Sequence, residues 1–341
     1  MCNNNDIKVS IVCITYNHVD YIRDAIESFL MQKTNFNYEI LIHDDASTDG
    51  TSEILKDYVS KYSDKIKVIF QKENQYSKGI KISQTYLYPI AQGKYIAICE
   101  GDDFWFDPYK LQKQYDYMEE HKDCFLCIHG NIVIDAKTSK PIGKNILSKQ
   151  LKEYTLEDAI SGLGRDVATN TFFYRREIAE LQPKFKKISP CGDYIIPILC
   201  AEKGKIVYLP AIMSVYRRWS KESVTSKMRN NASYVERYTQ RYLEMLKELN
   251  IYFNERYIDL VEVERDRIIF NCLKSSRKYI EIFKMAYFKK MSNRIKAITT
   301  MELFCPNIIC ILRKIKYQWK LMLTKETIQV KQNLDSDWCK L

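Results

Sequence analysis

The strongest constraint on this chain sits at Cys99-Glu100-Gly101-Asp102-Asp103-Phe104-Trp105, where three carboxylates fall within four residues directly after the apolar run Tyr95-Ile96-Ala97-Ile98. Such a cluster repels itself unless a hard cation compensates it, and Mg²⁺ or Mn²⁺ takes one or two protein carboxylates and completes its shell with phosphates. A solvated acidic turn would read the same in isolation. A second strand end separates the two readings: Tyr38-Glu39-Ile40-Leu41-Ile42 runs into His43-Asp44-Asp45-Ala46-Ser47-Thr48-Asp49-Gly50. Two strands thus present acidic loops at their carboxyl ends, the edge where open α/β sheets bind ligands.

Residues 7–104 alternate strand and helix patterns. The stretch from about Asp20 to Gln32 puts Tyr21, Ile22, Ala25, Ile26, Phe29 and Leu30 on one helical stripe, and Thr51 to Tyr62 does the same with Ile54, Leu55, Tyr58 and Val59. Ser47, Thr48 and Asp49 offer acceptors for the exposed N–H groups of the second helix. Strand patterns at Ile66–Phe70 and Tyr95–Cys99 flank a helix expected near Ile82–Ala91 and ended by Gly93. This alternation predicts a mostly parallel central sheet. Beyond Trp105 the spacing predicts a helix from Pro108 through Met118, strands at Phe125–Ile128 and Ala168–Tyr174, a helix over Tyr194–Glu202, and strands near Ile206–Leu209 and Met213–Arg217. Residues 226–341 hold no glycine and read as a helical, basic C-terminal region.

The chain resembles family 2 glycosyltransferases, inverting enzymes of the GT-A fold, through four pieces that stand in family order. A strand Val9-Ser10-Ile11-Val12-Cys13-Ile14 ends in Thr15-Tyr16-Asn17, a second ends in Asp44-Asp45-Ala46-Ser47-Thr48-Asp49, a later one reaches Glu100-Gly101-Asp102-Asp103, and Cys191-Gly192-Asp193 follows. The resemblance spans about residues 7–225, which predicts a GT-A domain over 1–225 with a nucleotide-binding half, 1–104, and an acceptor-side half, 105–225. It implies that Thr15, Tyr16 and Asn17 hold the nucleotide base and that Asp45 accepts a hydrogen bond from a pyrimidine N–H. By the same token Asp103 coordinates a Mn²⁺ or Mg²⁺ ion directly, and Asp102 contacts the ribose or a metal-bound water. Glu100 stands where many members carry Asp. Asp193 is implied as the general base that takes the acceptor hydroxyl's proton, although a lone Asp before an apolar helix also serves as an N-cap. Tyr216-Arg217-Arg218-Trp219-Ser220 is similar to the family's closing loop, with Arg217 a phosphate contact and Trp219 in place of a customary His. The Arg and Asn common at the positions of Ile80–Leu87 are absent, leaving Lys78 or Lys81 as substitutes.

What the resemblance implies is transfer of a sugar from a nucleotide diphosphate sugar, UDP-linked, to a hydroxyl of a glycan or lipid-linked glycan in surface polysaccharide synthesis. Two competitors are weighed against it. A nucleotidyltransferase normally has a Gly-rich basic loop in its first turn, and Thr15-Tyr16-Asn17-His18 is nothing of the kind. A non-catalytic membrane-associated relic of the fold would not need Asp45, Asp102, Asp103 and Asp193.

The 341 residues suffice for one large α/β domain and an extension. Eleven cysteines show no framework spacing and several lie within apolar strands, as small core residues in a reducing compartment do. No run of eighteen apolar residues occurs and the first residues are polar, so the sequence reads as cytoplasmic. The net charge of +10 is concentrated: residues 271–325 carry thirteen Lys or Arg against Glu281 and Glu302, a local +11. From Ile308 to Leu323, apolar residues recur at helical spacing with Arg313, Lys314, Lys316 and Lys320 between them. That pattern predicts an interfacial helix on an anionic membrane surface, peripheral on the inner face of the cell membrane. Nothing in the sequence points to nucleic acid as a partner.

Overall fold

The computed structural model describes residues 6–221 and 223–304; the amphipathic segment expected at 308–323 lies outside them. Ten strands form one sheet: β1 (Ile7–Thr15), β2 (Asn37–Asp44), β3 (Ile66–Phe70), β4 (Tyr95–Ile98), β5 (Phe104–Trp105), β6 (Cys124–Asp135), β7 (Pro141–Asn145), β8 (Lys152–Tyr154), β9 (Phe173–Arg175) and β10 (Lys205–Arg218). Their order is β3-β2-β1-β4-β9-β6-β10-β5, with β7 on β6 and β8 on β10. The first four are mutually parallel, as the alternation predicts, whereas β9 runs antiparallel to both β4 and β6 and joins them to the parallel pair β6 and β10.

Side chains along the parallel strands alternate between two cores. Val9, Ile11, Cys13, Ile40, Ile42 and Ala97 face one side, where helices α1 (Ile22–Leu30), α2 (Thr51–Lys61) and α3 (Lys110–Glu120) bury Phe29, Leu55 and Met118. Val12, Leu41, Ile96 and Ile98 face the other, against the Ile195–Lys203 helix. Burial on both faces explains why these strands read as continuous apolar runs.

That second core does not end near residue 225. Tyr242, Met245, Leu246 and Leu249 of the helix Ala232–Tyr252, and Val261 of the helix Ile258–Ser275, belong to it. The first C-terminal helices are therefore a wall of the α/β body, and a separate small cluster packs Phe270 of the second of them against Ile282 and Phe288.

Three local expectations take a different form. The helix expected at 82–91 is a five-residue turn, Ser83–Leu87, followed by a single tight turn, Tyr88–Ile90, because Pro89 has no N–H to continue a ladder. The strand expected over 168–174 begins with a turn at Thr169–Thr171 and pairs only from Phe173. The two strands expected at 206–217 are one, β10, interrupted by shifts of register against β6. No helix among the described residues is long and apolar enough to cross a membrane.

Candidate active site

β1, β2 and β4 end side by side, and hydrogen bonds fasten their loops together. The Asp45 N–H donates to the Thr15 carbonyl at 3.0 Å, and the Gly101 N–H to the Ile14 carbonyl at 2.9 Å. Asn17, in the left-handed region at φ 54°, accepts from the Thr48 N–H at 2.9 Å through Oδ1, while its own N–H reaches Ser47 Oγ at 2.9 Å. Asp49 accepts from the N–H groups of Val19 and Thr51, both at 3.0 Å. Asp44 is buried and consumed locally, accepting from the Ser47 hydroxyl at 2.5 Å and from Ser52. Tyr16 is left half-buried at the mouth of β1.

Asp45 is buried beneath this mouth. Its two carboxylate oxygens accept the backbone N–H groups of Gln75 at 2.7 Å and Tyr76 at 3.0 Å. An ionised carboxylate offers about four lone-pair directions, so a further donor can still be received. Gly101 approaches β1 closely: a Cβ there would lie 2.7 Å from Thr15 Oγ1 and 3.0 Å from His18 Nδ1. Both of those buried atoms lack a hydrogen-bond partner among the described residues.

The acidic loop divides its carboxylates by environment. Asp103 is buried, accepting from Asn170 Nδ2 at 2.9 Å and from the Arg217 backbone N–H at 2.7 Å. Burial, with Asp102 and Glu100 beside it, pushes its pKa well above the usual carboxylate range. Glu100 accepts from Thr169 Oγ1 through both oxygens at 2.9 Å, and burial, then Asp102 and Asp193, raise its pKa to about 7. Asp102 remains partly exposed, held by Ser220 Oγ at 2.5 Å with His18 Nε2 4.0 Å away.

Arg217 differs from its expected role. Its guanidinium is buried over the rings of Phe104 and Tyr21, 4.7 and 5.0 Å from their centroids, donates to the Asp102 carbonyl at 2.9 Å and pairs with Asp24. It thus clamps the acidic loop from within the protein, through Nη1 on the Asp102 carbonyl and Nη2 on Asp24. Asp103, read from sequence as the direct metal ligand, is buried with one protein donor on each oxygen, while Asp102 and Glu100 are the partly exposed carboxylates of the loop.

Asp193 precedes the Ile195–Lys203 helix without capping it: its Oδ1 accepts the N–H of Tyr194, at 2.8 Å. The side chain is half-buried, and desolvation raises its pKa against hydrogen bonds from Cys191 and Tyr194 and the nearby Arg165. Lys81, one of the two proposed substitutes, reaches the Ser189 carbonyl of the same loop, whereas Lys78 pairs with Glu73. A cavity of about 460 Å³ opens at Asp193 between Tyr194 and the helices Ala232–Tyr252 and Ile258–Ser275.

Sequence reasoning missed Asn170, whose amide also donates to the Val215 carbonyl and accepts from Ser214 Oγ, and it assigned nothing to His18. Their partners lie tens of residues away, so no local pattern could have signalled them. Among the described residues no group of three His, Cys, Asp or Glu side chains could enclose a metal ion. The donor set nonetheless suits a cation that draws most ligands from a diphosphate: the partly exposed Asp102 and Glu100, with Asp103 buried in the same loop.

The uncharacterised protein Rv1520 of Mycobacterium tuberculosis is 36% identical over 215 residues, 62% of this chain and 58% of that protein. TuaG of Bacillus subtilis, named as a teichuronic acid biosynthesis glycosyltransferase, is 34% identical over 152 residues, 45% of this chain and 56% of its own. The chain thus spans less than two thirds of these relatives. The crystal structure of S. aureus TarS residues 1–349 with UDP-GlcNAc matches at TM-score 0.51 and 17% identity over 79% of this chain and 81% of that one. The mannosyltransferase PcManGT of Pyrobaculum calidifontis, in complex with GDP-Man and Mn²⁺, matches at 0.52 and 11% identity over 93% and 88%. At such identities the two structures speak for the fold, which is GT-A. The model of glycosyl transferase family 2 matches residues 10–181, half of the sequence, and the chain belongs to that family.

Proposed function

We propose that the protein is an inverting glycosyltransferase that moves a sugar from a nucleotide diphosphate sugar, UDP-linked, to a hydroxyl of a glycan or lipid-linked glycan in surface polysaccharide synthesis. The observation that carries this reading is the convergence of three adjacent strand ends: the Thr15-Tyr16-Asn17 turn after β1, Asp45 after β2 on one side of it, and the partly exposed Asp102 after β4 on the other. Binding of UDP-GlcNAc by TarS and of GDP-Man by PcManGT supports a nucleotide sugar as donor, and the relation to TuaG supports an envelope polysaccharide as product.

In this reading Tyr16 and Asn17 bracket the base and Asp45 receives a ring N–H on its free lone pairs, which disfavours bases without one. Asp102, with Glu100 and Asp103 behind it, would hold Mg²⁺ or Mn²⁺. When bound, the ion would offset the charge of the donor's diphosphate. Asp193 takes the acceptor hydroxyl's proton as that oxygen bonds to the anomeric carbon, while the bond from that carbon to the diphosphate oxygen breaks on the opposite face and the diphosphate leaves with the electron pair. The raised pKa of Asp193 suits a base, because it strengthens its hold on the proton. Arg217 keeps the acidic loop in place. The basic segment 271–325 would bring the enzyme to an anionic membrane surface, where lipid-linked acceptors reside.

The test incubates the purified full chain with a panel of nucleotide sugars and Mn²⁺ and follows slow release of free nucleoside diphosphate. Release from one donor, abolished by EDTA, is expected. Asp193→Asn should keep UDP binding and lose transfer by about 10²–10⁴-fold. Absence of UDP binding to the wild type would overturn the reading.

A further inference from the structure

The cavity at Asp193 has a chemistry that the donor site does not explain. Its 460 Å³ is within the range of small-molecule sites. One wall carries Asp193 and the ring of Tyr194; the other, from the helices Ala232–Tyr252 and Ile258–Ser275, carries Tyr238, Tyr242 and Arg267. The rings of Tyr194 and Tyr242 lie 5.4 Å apart and those of Tyr238 and Tyr242 6.1 Å apart, a largely buried aromatic cluster that backs the cavity.

The cations of this cavity are each paired with a buried carboxylate. Arg165, Arg267 and Lys274 line the space. Glu264, 2% exposed and absent from the lining, accepts from Arg267 Nε at 2.7 Å and from the Tyr242 hydroxyl at 2.9 Å, and lies 2.7 Å from Arg165 Nη1. Lys274 is paired with Glu302 at 3.0 Å, whose side chain is 8% exposed. One buried carboxylate serves two guanidiniums, so the pair retains a positive charge, and the side chains of Arg165 and Arg267 stay 25% and 22% exposed. The carboxylate that faces the same space is Asp193, which loses its charge on taking a proton. While Asp193 is ionised it balances the guanidinium charge; once it takes a proton the positive charge is left without a counter-charge in the cavity, and guanidinium matches phosphate and carboxylate in geometry.

We propose that this cavity is the acceptor site and that the acceptor sugar carries an acidic group, phosphate or carboxylate, which Arg267 and Arg165 bind while the reacting hydroxyl lies at Asp193. The proposal rests on the reading of Asp193 as the base. It also makes the C-terminal helices, rather than the strand-end loops, the determinant of acceptor class.

Saturation-transfer NMR on the full chain, with methyl glucoside, its 6-phosphate and methyl glucuronide as probes, reads the site directly. At least one charged probe should bind roughly tenfold more tightly than the neutral sugar, the worth of one hydrogen bond to a charged group. Arg267→Gln should remove that preference, Arg267→Lys should restore part of it, and Lys274→Gln, further along the wall, should weaken it less. UDP binding measured alongside reports folding and the donor site. Preference for the phosphate identifies a phosphorylated or lipid-phosphate acceptor, and preference for the glucuronide an acidic sugar. Equal binding of all three probes by a protein that binds UDP would overturn the proposal, as would a preference unchanged in Arg267→Gln. Failure of the wild type to bind UDP would instead strike the glycosyltransferase reading.

Discussion

Asp102 and Asp103 are adjacent in sequence and meet opposite surroundings. Asp103 sits where Asn170 and the Arg217 backbone complete it, so Asp103→Asn turns an amide toward the Asn170 amide and opposes two donors. A loss of about 1–3 kcal/mol in stability is expected, read as a lower midpoint in urea. Asp102→Asn should leave that midpoint within error and abolish metal-enhanced UDP binding and transfer; a stable, active Asp102→Asn would return the metal role to Asp103. The sequence showed that a carboxylate cluster stood at a strand end. It could not apportion duties within the cluster, because these depend on Thr169, Asn170, Arg217 and Ser220, which reach the loop only through β9 and β10. Glu100 gives a pH signature. Its folded pKa, about 7, exceeds the ordinary 4.5, so the folded state holds a proton that the unfolded state has lost between those values. The contribution is fully present below pH 4.5 and is lost as pH rises through 7, on the order of 1–3 kcal/mol. His43 and His129, whose burial lowers their pKa values, slope the other way in the same window. The observable is therefore a difference: Glu100→Gln should gain stability relative to wild type between pH 5 and pH 8 in paired urea titrations. A constant gap across that range would mean that Glu100 does not hold its proton.

Helices α1 and α2 were legible to within two residues at each end because a single apolar stripe packs each on the sheet. The elements around Asp193 were not, since their placement rests on backbone approaches that leave no periodic trace. Gly164, in the short helix Leu163–Asp166, is one of these: a Cβ there would lie 1.9 Å from the Asp193 carbonyl oxygen and 3.2 Å from Pro197 Cγ. Both neighbours belong to the segment that aims Asp193, and a backbone carbonyl cannot rotate away as a side-chain tip can. Gly164→Ala should therefore displace Asp193 and lower turnover by about 10²-fold, the order of loss that a misplacement near 1 Å produces, with UDP affinity unchanged. Steady-state kinetics with the donor identified by the hydrolysis panel measures this, and wild-type turnover in Gly164→Ala would mean that the segment yields freely.

At the scale of the whole molecule, glycine-poor composition correctly announced helices after residue 225, yet it suggested an extension where the structure has a wall. Composition reports what a segment forms; it carries no record of what the segment covers, and here Tyr242, Met245, Leu246 and Leu249 cover the same core as Leu41 and Ile96. A fully buried large apolar side chain contributes roughly 1.5–3 kcal/mol, so removing four of them costs about as much as a whole domain's net stability. Truncation after Asn231 should accordingly yield protein that neither melts cooperatively nor binds UDP. Truncation after Ser276 spares that core and the described lining of the Asp193 cavity while removing much of the basic segment 271–325. That shorter protein should melt cooperatively and release nucleoside diphosphate from its donor, and it should sediment less with anionic vesicles at low salt than the full chain does. Equal sedimentation of the two would place membrane attraction, if present, elsewhere on the surface. Cooperative melting of the chain ending at Asn231 would show that the α/β body stands without its helical wall.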